Sequence, residues 1–366
     1  MSATAQPLVL MMAGGTGGHV FPALAVATEL MARGYRVEWV GTERGLEHRV
    51  VPAAGIVLHC LPVRGVRGKS VTDKLTALIY LALASVQAIA LVFRLAPRCV
   101  VGMGGYVAGP AGLAAWLLRK PLLIHEQNAV AGTTNRMLAP FASRVVGAFD
   151  GAFRKDVDYT VLGNPVRREL VAAAAAGHRV YDGRQPLRLL VLGGSLGARA
   201  INEVMPGSIR AVVETGRQLE VWHQTGDAHI DPVRISYGDL LDHGVKLLPF
   251  IEDMAEAYGW ADLVLCRAGA LTVSELAVMG CPSILVPLPG AIDDHQTANA
   301  RALTDRGGAI LLVQSEMTVD YLARVLQDCA DDPGRLATMG AAAAAVAMPD
   351  AAARVCDCCE ELVHGR

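Results

Sequence analysis

The sequence has few aromatic and few charged residues, and neither sign of charge dominates it. Aromatics make up 5% of the 366 residues, charged residues make up 19%, and the formal net charge at pH 7 is -2. Nucleic-acid-binding proteins neutralise phosphates with concentrated Lys and Arg, so this balance argues against a nucleic-acid partner. No apolar leader precedes the first apolar run and the eight cysteines are scattered, which predicts a reducing, cytoplasmic setting.

The sequence is rich in small and aliphatic residues. Hydrophobic residues reach 52%, and there are 38 glycines. This composition suits buried parallel strands joined by glycine turns. The length exceeds that of one ordinary core and favours two domains.

A strand, a glycine loop and a helix follow one another at two places. Residues 8–12 lead into Gly14–Gly18, and residues 189–192 lead into Gly193–Gly197. Pro22 is predicted near the first helical position after the first loop, and Gly34 at the helix end. Further apolar runs, each followed by a helical pattern, lie at 37–40, 99–101, 122–124, 144–146, 219–222, 245–248, 263–266, 283–286 and 310–313. This alternation predicts an α/β protein with two doubly wound, Rossmann-like domains.

The domain boundary is predicted at 165/166, next to Gly163-Asn164-Pro165, or in the polar stretch 177–185 if the link is longer. In doubly wound sheets, ligands bind at the carboxyl ends of the strands. The predicted site therefore consists of loops at those ends.

The segment 75–93 carries no charged residue and has the length of a membrane span. Five alanines and several polar residues, among them Tyr80 and Gln87, favour a buried or interfacial helix instead. Four basic residues precede this segment and would attract anionic lipid: they are Arg64, Arg67, Lys69 and Lys74.

Glycine loops before helices present backbone N–H groups that bind phosphate. The first loop does not fit the dinucleotide pattern, because Val20 stands where the last glycine is needed. Gly68-Lys69-Ser70 does not complete a P-loop pattern, because Val63 stands where its first glycine is needed. Together with a third glycine run at 102–105, the loops predict a site for a diphosphate or a sugar.

Two residues at predicted helix starts have alternative roles. His19 follows the first loop, where the helix dipole favours a neutral ring, so it is either a general base or a helix-capping histidine. Glu275 is predicted in the first turn of a helix, where it would grip ribose hydroxyls or simply stabilise the helix start. From position alone the second role of Glu275 is favoured.

Three polar clusters remain. His125-Glu126-Gln127-Asn128 closes a predicted strand at the sheet edge where function concentrates. Asp293-Asp294-His295-Gln296 is predicted to begin a helix rather than to bind metal. The run at 356–359, Cys-Asp-Cys-Cys, lacks a second ligand pair at zinc spacing, so no metal is predicted there.

Taken together, these motifs resemble one family, the N-acetylglucosaminyltransferases that act on lipid-linked muramyl acceptors in peptidoglycan synthesis. The matching stretches are GGTGGHVFP (14–22), GMGGY (102–106), HEQN (125–128), GNPVR (163–167), GGS (193–195), CRAGALTVSE (266–275) and DDHQ (293–296). The resemblance implies a GT-B fold, an N-terminal acceptor domain (1–165), a donor domain (166–344) and a last helix (345–366) that packs back on the first domain.

The resemblance also implies the chemistry. UDP-N-acetylglucosamine would donate its sugar, with inversion, to the 4-hydroxyl of the muramyl group of lipid I, at the cytoplasmic face of the inner membrane and without a cofactor or metal. His19 would be the base, and Glu126 would be an alternative base or would position the acceptor. The implied donor contacts are Thr16, Gly17, Gly18, Asn128, Arg167, Ser195, Ile251, Ala270, Leu271, Thr272, Val273, Ser274, Glu275 and Gln296. Ile251 would meet uracil, Glu275 the ribose, Ser195 the diphosphate and Gln296 the sugar.

The nearest rivals share the architecture. They are a UDP-N-acetylglucosamine 2-epimerase and another GT-B glycolipid glycosyltransferase, and the HEQN and GMGGY stretches argue against both. A catalytically silent nucleotide-binding scaffold is disfavoured by His19 and Glu275. A Rossmann dehydrogenase is disfavoured by the failed dinucleotide pattern.

Overall fold

The structure is a computed structural model that describes residues 6–63, 71–177, 179–194 and 197–365. The chain forms two compact units, Met1–Arg167 with Pro349–Arg366, and Arg168–Met348. The sequence-based boundaries were 165/166 and 344/345. Arg64, Arg67, Lys69 and Ser195 lie outside the described residues, as does the side chain of Lys74.

The first unit is built on a seven-stranded parallel sheet in the order β3-β2-β1-β4-β5-β6-β7. Its strands are β1 (Leu8–Met12), β2 (Arg36–Gly41), β3 (Val57–Cys60), β4 (Cys99–Gly102), β5 (Leu122–Glu126), β6 (Arg144–Gly147) and β7 (Thr160–Val161). Its helices up to the unit boundary are α1 (Gly17–Ala32), α2 (Glu47–Ala53), α3 (Val71–Leu95), α4 (Ala108–Leu117) and α5 (Thr133–Leu138).

The alternation of side chains along β1 feeds two cores, one on each face of this sheet. Val9 and Met11 pack into the cluster that contains α1, whereas Leu10 and Met12 pack against α3 and α4. Successive side chains of a strand point to opposite faces, so a fully apolar strand must be covered on both. This explains why β1 is apolar throughout.

The second unit is built on a six-stranded parallel sheet in the order β10-β9-β8-β11-β12-β13. Its strands are β8 (Leu187–Leu192), β9 (Leu219–Gln224), β10 (Val245–Leu248), β11 (Leu263–Cys266), β12 (Ser283–Leu285) and β13 (Ala309–Leu311). Its helices are α6 (Arg168–Ala176), α7 (Arg199–Glu214), α8 (Ile230–Tyr237), α9 (Met254–Trp260), α10 (Ala270–Met279), α11 (His295–Thr304), α12 (Val319–Asp331) and α13 (Pro333–Ala344). The prediction of two doubly wound α/β domains is confirmed.

The last helix, α14 (Ala351–His364), packs against α1 and β4 of the first unit. Cys356 and Cys359 are fully buried in that core, and the Cys356 thiol donates to the Val26 carbonyl. Burial raises the pKa of the Cys356 thiol, which keeps it protonated at neutral pH. The cysteine run therefore fills the apolar face of a helix.

Two details of the sequence-based prediction were wrong. Helix α1 begins at Gly17, which puts Pro22 inside the helix, in its second turn, rather than near its first position. Helix α10 begins at Ala270, which puts Glu275 in the second turn rather than the first. In both cases the helix starts directly at the glycine turn.

Candidate active site

The first glycine loop, residues 13–16, lies where the strand order of the first sheet reverses. Strand β1 has β2 on one side and β4 on the other, and such a switch point opens a crevice at the carboxyl edge. The loop after β4 packs directly on the first one. A Cβ at Gly105 would lie 2.4 Å from the Gly14 carbonyl oxygen, and the φ of Gly105 is +85°. Only glycine allows this approach of two backbones.

The first glycine loop is held by the carboxylate of Glu47, which is fully buried. Oε2 accepts from the Gly15 amide at 3.0 Å, and Oε1 accepts from the amide and hydroxyl of Thr42 at 2.9 and 2.8 Å. Glu47 fixes the loop in place through these bonds. Sequence reasoning missed it, since an acid at the start of a short helix has no distinguishing pattern.

His19 is the third residue of α1, and its half-buried ring joins a set of buried polar groups. Its Nδ1 lies 2.8 Å from Gln127 Oε1, and Gln127 Nε2 lies 3.2 Å from His125 Nδ1. His125 Nε2 lies 2.9 Å from the Gly163 carbonyl oxygen. Burial lowers the pKa of His125 to about 4, so its ring is neutral at pH 7.

Gly104 lies against the ring of His19. A Cβ there would come within 2.8 Å of His19 Nδ1, and the φ of Gly104 is +93°. The GMGGY stretch thus leaves room for the histidine ring as well as for the first loop.

Glu126 is fully engaged in holding the loop that follows β5. Oε1 accepts from the amide and the side-chain nitrogen of Asn128, at 2.9 and 3.1 Å. Oε2 accepts from the Gly132 amide at 3.0 Å and from Asn135 Nδ2 at 2.8 Å. Four donors on a buried carboxylate favour a structural role for Glu126 over that of a base.

The remaining predicted residues of the first unit lie near the start of α1. Thr16 is the N-cap residue in an extended conformation, and Gly17 and Gly18 open the helix with their amides. The guanidinium of Arg167 lies over the ring of Phe21, 5.6 Å from its centroid. The structure therefore brings Thr16, the two glycines and Arg167 to one end of α1.

The second glycine loop follows β8. Gln224, at the end of β9, donates from Nε2 to the Gly194 carbonyl at 2.9 Å. A Cβ at Gly197 would lie 2.2 Å from the Thr225 carbonyl, so this loop also packs backbone against backbone. Helix α7 follows this loop, as α1 follows the first loop.

Helix α10 follows the carboxyl end of β11 and carries the predicted residues Ala270 to Glu275. Glu275 is buried, and Tyr258 donates its hydroxyl to Oε2 at 3.1 Å. Burial and the nearby carboxylate raise the pKa of Tyr258. The Glu275 carboxylate is thus held by a tyrosine of α9. Ile251 is buried in the same unit.

Gln296 lies in the first turn of α11, where its Oε1 accepts from the Leu288 amide at 2.9 Å. Arg267 follows β11 directly and donates to the carbonyls of Val286 and Pro287 and to Gln314 Oε1. Sequence reasoning did not assign Arg267 a role, although its place inside the CRAGALTVSE stretch was a signal. Within the described residues, no group of three His, Cys, Asp or Glu side chains is close enough to hold a metal ion.

Comparison with known proteins assigns the N-terminal and C-terminal parts of the chain to one family. Residues 9–146 match the glycosyltransferase family 28 N-terminal domain, and residues 188–355 match the family's C-terminal domain. The UDP-N-acetylglucosamine–N-acetylmuramyl-(pentapeptide) pyrophosphoryl-undecaprenol N-acetylglucosamine transferase of Stutzerimonas stutzeri is 50% identical over 98% of this chain and 99% of its own.

Solved structures agree. The crystal structure of Acinetobacter baumannii MurG matches with a TM-score of 0.81 and 41% identity, covering 97% of this chain and 99% of that one. A putative UDP-N-acetylglucosamine 2-epimerase from Listeria monocytogenes matches with a TM-score of 0.67 at 16% identity, over 99% of this chain and 98% of that one. The second likeness shows a shared fold alone. The chain therefore belongs to glycosyltransferase family 28, has the GT-B fold and is a member of the MurG family of N-acetylglucosamine transferases.

Proposed function

We propose that this protein transfers N-acetylglucosamine from UDP-N-acetylglucosamine to the 4-hydroxyl of the muramyl group of lipid I, forming a β-1,4 link. Lipid I is undecaprenyl-pyrophosphoryl-N-acetylmuramyl-pentapeptide. The observation that carries this proposal is the 50% identity, over 98% of the chain, to an enzyme named for this transfer. The buried and half-buried polar groups at the carboxyl edges of both sheets support it.

The second unit would hold the donor. Glu275 would accept hydrogen bonds from the ribose hydroxyls while Tyr258 keeps its carboxylate in place. The amides of the second glycine loop and the start of α7 would face the diphosphate, because helix N-termini favour anions. Gln296 would reach the sugar, and Ile251 the uracil ring.

The first unit would supply the base. As the muramyl hydroxyl attacks the anomeric carbon, its proton passes to His19 and the bond from that carbon to the diphosphate oxygen breaks. UDP leaves with the electron pair, and amides at helix starts would stabilise its charge. The four hydrogen bonds on Glu126 favour His19 as the proton acceptor.

The acceptor is a lipid, so we further propose that the first unit docks on the cytoplasmic face of the inner membrane. Ile79, Leu83, Val86 and Phe93 recur at helical spacing along α3 and form what we call the α3 apolar stripe. Ile79, Val86 and Phe93 are 64%, 65% and 75% exposed. Exposed aliphatic and aromatic side chains of this kind suit the interface of a bilayer.

The surroundings of the stripe favour an anionic bilayer. Trp116 on the adjacent helix α4 is exposed and packs against Phe141, with ring centroids 4.8 Å apart. Arg94 and Arg119 are exposed at the ends of α3 and α4. Arginines beside apolar residues attract anionic lipid head groups. No helix in the described ranges is long and apolar enough to cross a membrane.

The transfer is tested by incubating the purified chain with UDP-N-acetylglucosamine, radiolabelled in the sugar, and a short-chain lipid I analogue. We expect label in a disaccharide lipid whose formation requires the acceptor. A second reaction without acceptor tests the epimerase alternative. Conversion of the donor to UDP-N-acetylmannosamine, with no labelled lipid in either reaction, would contradict the proposal.

A further inference from the structure

A chain of three hydrogen bonds leads from a backbone carbonyl to the ring of His19. Partners that can only accept determine which atom donates in each bond. The Gly163 carbonyl oxygen only accepts, so His125 Nε2, at 2.9 Å, must carry its hydrogen. His125 is fully buried. In a neutral ring with hydrogen on Nε2, Nδ1 carries a lone pair and accepts a hydrogen bond.

The orientation of the Gln127 amide is fixed by two neighbours. One side-chain atom of Gln127 lies 3.2 Å from His125 Nδ1 and also 3.2 Å from the His125 carbonyl oxygen. Both partners are acceptors, so that atom must be the amide nitrogen. The amide oxygen then faces His19.

The last bond sets the state of His19. Its Nδ1 lies 2.8 Å from the Gln127 oxygen, which only accepts, so Nδ1 must carry the hydrogen. The neutral ring then has its lone pair on Nε2. A neutral imidazole in water prefers the opposite tautomer, with hydrogen on Nε2, so the protein has to impose this one.

We propose that Gln127, held by His125, is a positioning residue that fixes the Nδ1–H tautomer of His19 and so leaves Nε2 as the proton acceptor. The catalytic part of this proposal rests on the proposed function. During transfer, Nε2 takes the proton of the muramyl hydroxyl while that oxygen bonds to the anomeric carbon and UDP departs. The Gln127 oxygen keeps its bond to Nδ1–H and its dipole stabilises the imidazolium that forms.

The tautomer can be read directly by NMR of the full chain labelled with 15N in histidine. Long-range proton–nitrogen correlations distinguish a protonated ring nitrogen from an unprotonated one, and the His19→Ala variant identifies the His19 signals by their loss. We expect hydrogen on Nδ1 of His19 and on Nε2 of His125 near pH 8. A His19 ring with hydrogen on Nε2 would overturn the proposal.

The Gln127→Met variant tests the link to catalysis. We expect His19 to lose its preference for Nδ1–H and kcat to fall roughly 10- to 1000-fold, with KM for UDP-N-acetylglucosamine within about twofold of wild type. Gln218→Met is the matched control, because Gln218 is exposed in the second unit, and it should change neither quantity. A loss of kcat in Gln127→Met with the His19 tautomer unchanged would contradict the proposal.

The two proposals fail in different ways. If Gln127→Met does not fold, the wild-type spectrum alone still decides the tautomer. A wild-type enzyme that transfers sugar but carries hydrogen on His19 Nε2 refutes this inference and leaves the proposed function intact. A wild-type protein with the expected tautomer but no acceptor-dependent transfer refutes the proposed function instead.

Discussion

The first six strands of each unit have the same order in the sheet, but the two units use their buried histidines differently. In the first unit, His125 begins a hydrogen-bonded chain that ends on the half-buried ring of His19. In the second unit, His223 lies between Asn202 Oδ1 and the Tyr237 hydroxyl, each at 3.0 Å. Asn202 in turn donates to the Thr225 carbonyl. Both ring nitrogens of His223 therefore have partners inside the core, and we call this a closed network.

The two networks differ in whether every donor and acceptor has a partner within the network. A closed buried network satisfies its own donors and acceptors and stabilises the packing around it. An open network ends on a nitrogen that still has a lone pair to offer. On our proposal, the same frame carries a structural histidine in the second unit and the proton acceptor of the reaction in the first.

The largest effect is expected from His19→Ala. Removal of a general base lowers kcat by about 10²- to 10⁴-fold. The free energy of unfolding should change little, because the ring is half-buried and outside the apolar core. Steady-state kinetics with the lipid acceptor and thermal unfolding give the two readouts, and full turnover by this variant would rule out His19 as the base.

The next largest effect is a difference in stability between variants that remove the side chain holding each glycine loop. Glu47→Ala leaves buried donors of the first unit without an acceptor and should lower the free energy of unfolding by about 2–4 kcal/mol. Gln224→Ala removes one neutral hydrogen bond to Gly194 in the second unit and should lower it by about 1 kcal/mol. Denaturant titration of each variant measures both. Equal losses would mean that the two loops are held alike.

The closed network predicts a dependence of stability on pH. Burial lowers the pKa of His223 to about 3, against about 6.5 in an unfolded chain. Between these values the unfolded state binds more protons, so the contribution of His223 to stability is lost as the pH falls. In His223→Gln, the drop in unfolding free energy from pH 7 to pH 5 should be smaller by about 2 kcal/mol.

The control for this experiment is the exposed residue His243. The drop in unfolding free energy from pH 7 to pH 5 is measured for His243→Gln in the same way, as the reference for replacing an exposed histidine. A His223→Gln variant with the same acid sensitivity as wild type would show that His223 is not held neutral.

The smallest effect concerns the membrane. Phe93→Glu on the α3 apolar stripe should weaken binding to phosphatidylglycerol-containing vesicles by about tenfold, because burial of a phenylalanine side chain contributes about 1.5–3 kcal/mol. Ile235, 82% exposed on α8 of the second unit, provides the matched control. In a flotation assay Ile235→Glu should bind like wild type. Equal loss in both variants would contradict docking through the first unit.

The sequence predicted most of the fold because central parallel strands are apolar on both faces. Strand β1 and residues 189–192 of β8 are continuous apolar runs before glycine turns, and their places were confirmed. The short strands β3 and β7 were missed. They lie at the sheet edges and are only partly buried, so their residues do not form a recognisable run.

The site was predicted only in part. Glycine loops and the HEQN stretch have visible patterns, so their location could be expected from the sequence. The support by Glu47 and the direction of the bonds through Gln127 depend on which distant groups meet in space. Gly163 is 38 residues from His125, and no local pattern announces that contact.

The stereochemistry of the product tests the central claim most directly. NMR of the disaccharide made from UDP-N-acetylglucosamine and a lipid I analogue reports both the linkage position and the anomeric configuration. Direct attack by a hydroxyl deprotonated by His19 predicts a β link to the 4-position of the muramyl sugar. An α-linked product, or no acceptor-dependent product, would contradict it.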